Sequence, residues 1–551
     1  MTETRISTRF LAVGLALSLV AQPSRAQEPD HSAHVHAPMV GSVHFRNSGS
    51  RAAQAPLQQG VAWLHNFKYK EAVASFQAAE RADSTLALAW WLEALSYSHV
   101  LWNVEDLARS RATLARLAPT PTLRLAKART ERERAFGAAV EAFYADGTLA
   151  SRTRAYSDSL QALAASDTTD LEASAFAAHG AMMAWYSAPP ADRPALAAAS
   201  RSLALRVFHA NPHHPGAAHY LTHVADMDPG SAAEMLPFAR AYDKIAPDAD
   251  HALHMPSHVF LPLGLWHEVS SANERAWRAS RAEVKRDKAT GAELSYHTLE
   301  WLQYAYLQEG RWNAARALVD SARRALAGVP IDAGNADARF AVNVLAFTYS
   351  MESGDRSGYD GKTIDVNAAF SQPTPSLRAW NMAMTNAYQS AVAVLRARGD
   401  TASARLVAVR FRANADSLPA DARRGALLRS AAELEAMIAR AQGDVPHAIA
   451  LLRTASQTEA ASFSTPPTRI PAHELLGELL LQSGQPADAV AEFQAALTAR
   501  PNRSSAVLGL ARAMKAAGDS AGAKGTYKRL DANWVRADAK VRRVLAGEQR
   551  Q

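Results

Sequence analysis

The chain has 551 residues, 48% of them hydrophobic and 21% charged, with a formal net charge of +7. That length admits several ordinary domains or one long repeat array, and the balance of apolar and charged residues excludes a chain too polar to bury a core. Cysteine is absent, which removes structural disulfides, thiolate metal ligands, a cysteine nucleophile and lipoprotein acylation. Basic and acidic residues are interleaved along the whole chain, which speaks against a nucleic-acid partner.

The N-terminus reads as an export signal. Arg5 and Arg9 flank the start of the apolar run "FLAVGLALSLVA", and Ser24-Arg25-Ala26 is a small-x-small cleavage site. The run is too short to span a bilayer, and no later segment is long and apolar enough, so the expected mature chain has no transmembrane segment. Residues 1–26 are assigned as signal peptide, and the protein is expected to be exported, periplasmic or secreted. Residues 27–50 are expected to be a flexible tail containing "HSAHVHAPM", with His31, His34, His36 and Met39. Such a tract either gathers copper or zinc loosely or serves as a solvated linker.

From residue 51 onward helical signals run almost end to end. Ala, Leu, Arg and Glu recur at three-to-four spacing, punctuated by Gly, Pro and Asp, and no sustained β-branched alternation appears. Small residues also recur at a fixed longer period. Gly60, Ala72, Phe76 and Ala79 return in the same spacing as Gly477, Ala489, Phe493 and Ala496. Ala511, Ala523 and Tyr527 repeat part of the pattern 34 residues after Gly477, Ala489 and Phe493. Two antiparallel helices cross closely only where Gly or Ala stands at the contact, and one such hairpin cannot bury its own faces. Neighbouring hairpins must stack into a solenoid.

"ELLGELLLQSGQPADAVAEFQAALTARP" and "GVAWLHNFKYKEAVASFQAAERAD" make the chain resemble the tetratricopeptide repeat family. The resemblance is strong over 55–100, 257–325 and 432–530, and weak over 100–210 and 330–430. It implies an all-α fold: a right-handed superhelix of helical hairpins with off-consensus helices in the middle. The expected division is a histidine-bearing region at 51–330, an off-consensus helical region at 331–430 and regular repeats at 431–540. Loops are expected at "AGVPIDAGNADA" and "GYDGKTIDVNAAFSQPTPS". More narrowly, the chain resembles exported bacterial repeat proteins of uncertain function that carry His-x-x-x-His elements.

Histidine is the residue that stands out. Of the 19 in the chain, nine fall between His209 and His267, far above an even spread. His219 and His223 are four apart, so one helix projects both from one face, as two ligands of one transition metal require. His251, His254 and His258 follow, with Pro256 interrupting any continuous helix. A helix is expected to begin near Pro256 or Ser257, with His254 just before it. The repeat register, carried over from the family, implies that His65, His99, His258 and His297 face one shared channel. Asp226, Asp228 and Asp250 are candidate acceptors for orienting an imidazole, or ordinary loop and cap residues.

Two readings of these histidines stand side by side. In one they are polar groove residues and buried histidines bonded to backbone. In the other His219, His223, His251, His254, His258 and His297 form a transition-metal site, with Zn or Cu the fitting ions for neutral imidazoles without thiolates. No Gly-x-Ser-x-Gly elbow occurs, and Tyr220 rather than Glu follows His219, so neither a serine-hydrolase elbow nor a zincin helix is present. Function is accordingly expected to be a groove scaffold for a protein or peptide segment carrying that metal site. The alternative is a metal-dependent oxidative or hydrolytic enzyme on the same framework, and the sequence names no catalytic residue. A reporter fused behind residues 1–30 is expected to cross the inner membrane and to be trimmed near Ala26. Cytoplasmic retention of the full-length fusion, read by fractionation and mass spectrometry, counts against export.

Overall fold

The computed structural model describes residues 38–102, 104–330, 335–355, 377–420, 422–459 and 465–550. The signal segment, the tail histidines His31, His34 and His36, and the expected loop at 358–376 lie outside the described residues. Of the two compact units, Met39–Gln551 carries the fold described below.

Among the described residues the architecture is all-α. The one sheet is a two-residue antiparallel ladder, Ser98–His99 against Val104–Glu105. Helices joined by short turns pack as successive antiparallel neighbours. Arg51–His65 packs on Tyr69–Ala82. Leu149–Ser166, Leu171–Ser187, Arg193–Ala210, Pro215–Met227 and Ala232–Ile245 follow one another, each on the last. Ala472–Gln482, Pro486–Ala499, Ser504–Ala516 and Ser520–Asn533 do the same near the C-terminus. The off-consensus stretches are helical too, including Ala336–Ser353 and Thr401–Asp416. No described helix is long and apolar enough to cross a membrane.

The small-residue pattern has the packing role that its spacing demands. A Cβ on Gly60 would lie 2.4 Å from Phe76 Cε1, and one on Gly477 3.1 Å from Phe493. Phe493 also fills the space against Gly509, where a Cβ would lie 2.3 Å away. A buried phenyl ring therefore stands where the facing helix has no side chain, which lets the two backbones approach.

Three sets of contacts tie distant parts of the unit together. The arm Met39–Ser50 runs back over the first hairpins, with Phe45 fully buried against Phe136 and Phe176. Its Ser42 N–H donates to His213 O at 2.9 Å, and Met39 N–H donates to Asp248 at 2.8 Å. The C-terminal repeats dock on the region around Gly264. Trp266 Nε1 donates to Asn502 O at 2.7 Å, and Gly264, at φ +66°, would drive a Cβ to 2.4 Å from Pro501 O. Arg503, fully buried, pairs with Glu352 and Glu474, each at 2.7 Å, and donates to Tyr304 Oη at 3.1 Å. Such a buried cation is tolerable only because both carboxylates accompany it.

Ala489 is fully buried at the same helix crossing as Phe493. Ala489→Leu is expected to lower unfolding stability by about 1–3 kcal/mol through overpacking, as is Gly509→Ala. Denaturant titration followed by circular dichroism checks both, and an unchanged midpoint for both contradicts the assigned crossing.

Candidate metal centre

The helix Pro215–Met227 is the backbone of the site. His214 caps its start, its Nδ1 accepting the Ala217 N–H at 3.1 Å, and Pro215 stands at the first turn, where no N–H is needed. His219 and His223 project from one face of this helix, ring centroids 4.8 Å apart. Two short helices, Asp250–His254 and Ser257–Phe260, then pass beside it, separated at Met255 and Pro256. The break falls at Pro256 as expected, but His254 ends a short helix of its own. His297 enters from the start of Tyr296–Gln308.

The imidazole nitrogens group three and three. His219, His223 and His251 offer nitrogens mutually within 4.8 Å, and so do His254, His258 and His297. His219 and His254 are fully buried, and His223 and His258 nearly so. His251 is half-buried and His297 exposed, so the cluster opens on their side. All six residues singled out in the sequence are brought together.

Hydrogen bonds behind the rings determine which nitrogen carries the proton. His219 Nδ1–H donates to His65 O at 2.7 Å. His223 Nδ1–H donates to Asp226 Oδ2 at 2.8 Å, and His258 Nδ1–H donates to Asp226 Oδ1 at 2.8 Å. His254 Nδ1–H donates to Asn273 Oδ1 at 2.6 Å, and Asn273 Nδ2 in turn donates to Val269 O, which settles the orientation of the amide. In each neutral ring the Nε2 lone pair then points into the cluster. His254 and His258 bring these lone pairs to 3.0 Å of each other, with both Nδ1 protons engaged elsewhere. His219 and His251 Nε2 lie 3.2 Å apart, and buried His223 Nε2 has no hydrogen-bond partner among the described residues. At the His254–His258 approach, where both Nδ1 protons are used elsewhere, facing lone pairs of neutral rings repel, and a cation relieves that repulsion.

Electrostatics keep the rings in the form that binds cations. Burial pushes His219, His251 and His254 well below the ordinary imidazole value, and neighbouring histidines push in the same direction. His223 is lowered by burial too, with Asp226 opposing. Burial alone would raise the Asp226 carboxyl, but His258 and His223 outweigh it and hold it far below the usual carboxylate range. Of the three acidic candidates only Asp226 orients imidazoles. Asp228 accepts from Gly230 N–H in a turn, and Asp250 pairs with Lys68 at 3.0 Å.

The register carried over from the family does not hold for His65 and His99. His65 ends its helix fully buried, with Tyr220 O–H donating to its Nδ1 at 2.7 Å and its Nε2 3.1 Å from Glu172. His214 Nε2 faces the other Glu172 oxygen at 3.3 Å. These three groups also lie close enough together to hold an ion. Both His65 nitrogens and His214 Nδ1 are engaged with Tyr220, Glu172 and backbone, while buried His214 Nε2 has only its 3.3 Å approach to Glu172, and the three groups brace the site from beneath. His99 lies in the short ladder and stacks on Tyr69, ring centroids 3.8 Å apart, because the chain leaves the helix before it.

Three residues went unrecognised in the sequence. Asn273 and Glu172 carry no pattern that separates them from ordinary helix positions. Phe67 does. It sits at φ +56° in the turn between the first two helices, where Gly484 and Gly518 occupy the matching position of later hairpins. A bulky residue in that region is strained, by roughly 1–3 kcal/mol. Its ring lies 4.3 Å from His219 and stacks on His251 at 5.7 Å. Trp102 and Trp301 are further aromatic neighbours, Trp301 stacking on His258 at 4.3 Å, and Tyr220 and Tyr242 stack on His219 at 5.7 and 5.1 Å.

Comparison with known proteins bears on the framework. The tetratricopeptide repeat family model matches residues 480–546. The chain carries tetratricopeptide repeats. No curated protein sequence matches it. Among solved structures it is similar to the human IFIT1 dimer with m7Gppp-AAAA, at 13% identity and TM-score 0.35, over 90% of this chain and 92% of that one. It is also similar to yeast Tom70, at 10% identity and TM-score 0.31, over 89% and 91%. A third is Ypp1, at 10% and 0.40, over 87% and 88%. Likeness this distant carries no inference about function. Between these repeats and the helices that precede them, a cleft of about 700 Å³ is lined by Phe347, Tyr388, Met437, Leu475, Glu478 and Arg512, among others, away from the histidines.

Glu172 supplies the brace with its only negative charge. Burial would raise its carboxyl, but His214 and His65 outweigh that and hold it well below the ordinary value of 4.5. A depressed folded-state pKa gives stability that is complete above the ordinary value and is lost as pH falls below it. Glu172→Gln is expected to cost about 1–3 kcal/mol at neutral pH. It is also expected to flatten the fall of thermal midpoint between about pH 6 and pH 3 relative to wild type. Equal slopes count against the brace.

Proposed function

We propose that this chain is an exported metalloprotein in which a helical-repeat framework holds a polyhistidine transition-metal centre. His219, His223, His251, His254, His258 and His297 are its ligands. The observation that carries the reading is the 3.0 Å approach of His254 and His258 Nε2 while both Nδ1 atoms donate to other partners. Six imidazoles gathered from four helices and largely buried cost solvation and leave polar atoms facing one another. A bound ion at about 2.0–2.1 Å from nitrogen offsets both. Zinc and copper fit neutral imidazoles, and the absence of cysteine removes the thiolate sites that compete for them. Export to an oxidising compartment suits a centre built without thiols. The C-terminal repeats and the helices that precede them supply a second surface, a cleft of mixed apolar and charged lining suited to a protein or peptide segment.

Metal analysis of untagged protein from a periplasmic fraction is the direct test. Stoichiometric transition metal is expected in the wild type. His219→Ala is expected to lose most of it while far-ultraviolet circular dichroism stays unchanged. Protein that is folded, metal-free and unable to take up copper or zinc after dialysis refutes the metal centre, and the docking scaffold then becomes the better account.

A further inference from the structure

We infer that the centre is binuclear: one ion per histidine triad, the two ions sharing a bridging solvent-derived anion, with copper as the metal. This rests on the metal-centre reading above and adds its stoichiometry, its partition among ligands and its metal. The ligand set is built twice. His219, His223 and His251 form one His-x-x-x-His pair plus a later histidine, and His254, His258 and His297 form a second. The structure keeps each set compact, with nitrogens mutually within 4.8 Å inside a set. Between the sets the ring centroids of His223 and His258 stand 5.7 Å apart and those of His251 and His254 6.1 Å, against 4.7–5.0 Å for His219–His223, His219–His251, His254–His258 and His254–His297, with His258–His297 wider at 5.9 Å. Three nitrogens suit one ion with a coordination position left over, and six spread this widely do not converge on one ion at bonding distance.

The spacing between the sets is that of neighbours. Asp226 spans them, one oxygen on His223 of the first and the other on His258 of the second. One carboxylate therefore aligns a ring from each triad, which keeps the two sets adjacent. Charge points to the bridge. Six neutral imidazoles contribute no charge, so two dications face only the Asp226 carboxylate, and a hydroxide between them reduces the excess. Donor type favours copper, since copper(II) heads the affinity series for nitrogen donors.

The test uses the full mature chain without a histidine tag, with His31, His34 and His36 replaced by Ala so that the tail contributes no metal. Apoprotein is loaded with copper(II) chloride or zinc chloride, desalted and analysed for metal, and the copper form is examined by electron paramagnetic resonance. Two coppers per chain are expected, with a signal integrating to far less than two spins, because ions sharing a bridging atom couple. His251→Ala and His297→Gln replace the more exposed member of each triad, so the fold is retained, as circular dichroism verifies. Each is expected to leave one copper per chain and a full one-spin signal. No copper or zinc in folded wild type overturns the metal centre itself. One ion per chain leaves that reading standing and overturns only the pair, and two copper ions with a full two-spin signal overturn the bridge. Retention of zinc against equimolar copper overturns the choice of metal. If either variant unfolds, the wild-type stoichiometry and spin count decide alone.

Discussion

A single buried carboxylate holds the two halves of the histidine cluster in register. Asp226 lies three residues after His223 on the same helix, so one oxygen reaches its own neighbour while the other crosses to His258. Without it, two buried imidazole N–H groups would lose their acceptor and both rings would be free to turn. With it, their Nε2 atoms are aimed inward. The proximity of His254 to His258 follows from the same constraint, with Asn273 doing for His254 what Asp226 does for its partners.

The repeat framework is bent to serve this point. In the later hairpins the turn between the two helices is a left-handed glycine, the residue that takes this conformation without strain. In the first hairpin Phe67 takes that place and presses its ring on His219 and His251. Next to it Lys68 pairs with Asp250 at 3.0 Å and with Glu283 at 2.7 Å, which pulls the turn onto the segment carrying His251. The preceding residue of that helix end, His65, offers its carbonyl to His219 and its ring to Glu172. A turn that elsewhere only reverses the chain thus supports the site from three sides. Backbone strain is thus placed directly beside the convergent imidazoles.

The C-terminal repeats keep the regular exchange of glycine for phenyl ring, and they dock on the framework through Asn502, Arg503 and Trp534. The cleft that these repeats share with the preceding helices lies apart from the histidines.

By itself the sequence determined the all-α repeat architecture, because helix periodicity and the placement of Gly and Ala are local and recur. It also marked the six histidines, since two His-x-x-x-His pairs in a short stretch, followed by isolated histidines, form a visible pattern. Gly60 with Phe76 and Gly477 with Phe493 were legible as the same hairpin for the same reason. Only the tertiary structure decided that the six divide into two triads, because that depends on how Asp250–His254, Ser257–Phe260 and Tyr296–Gln308 pass the helix Pro215–Met227. It also separated Asp226 from Asp228 and Asp250, three acids alike in sequence but different in what they reach. His65 and His99, equivalent by spacing, parted because a two-residue ladder replaces helix at His99. The chosen nitrogen of each ring was decided by partners up to 154 residues away, as for His219 on His65, and no local pattern encodes a contact across that distance.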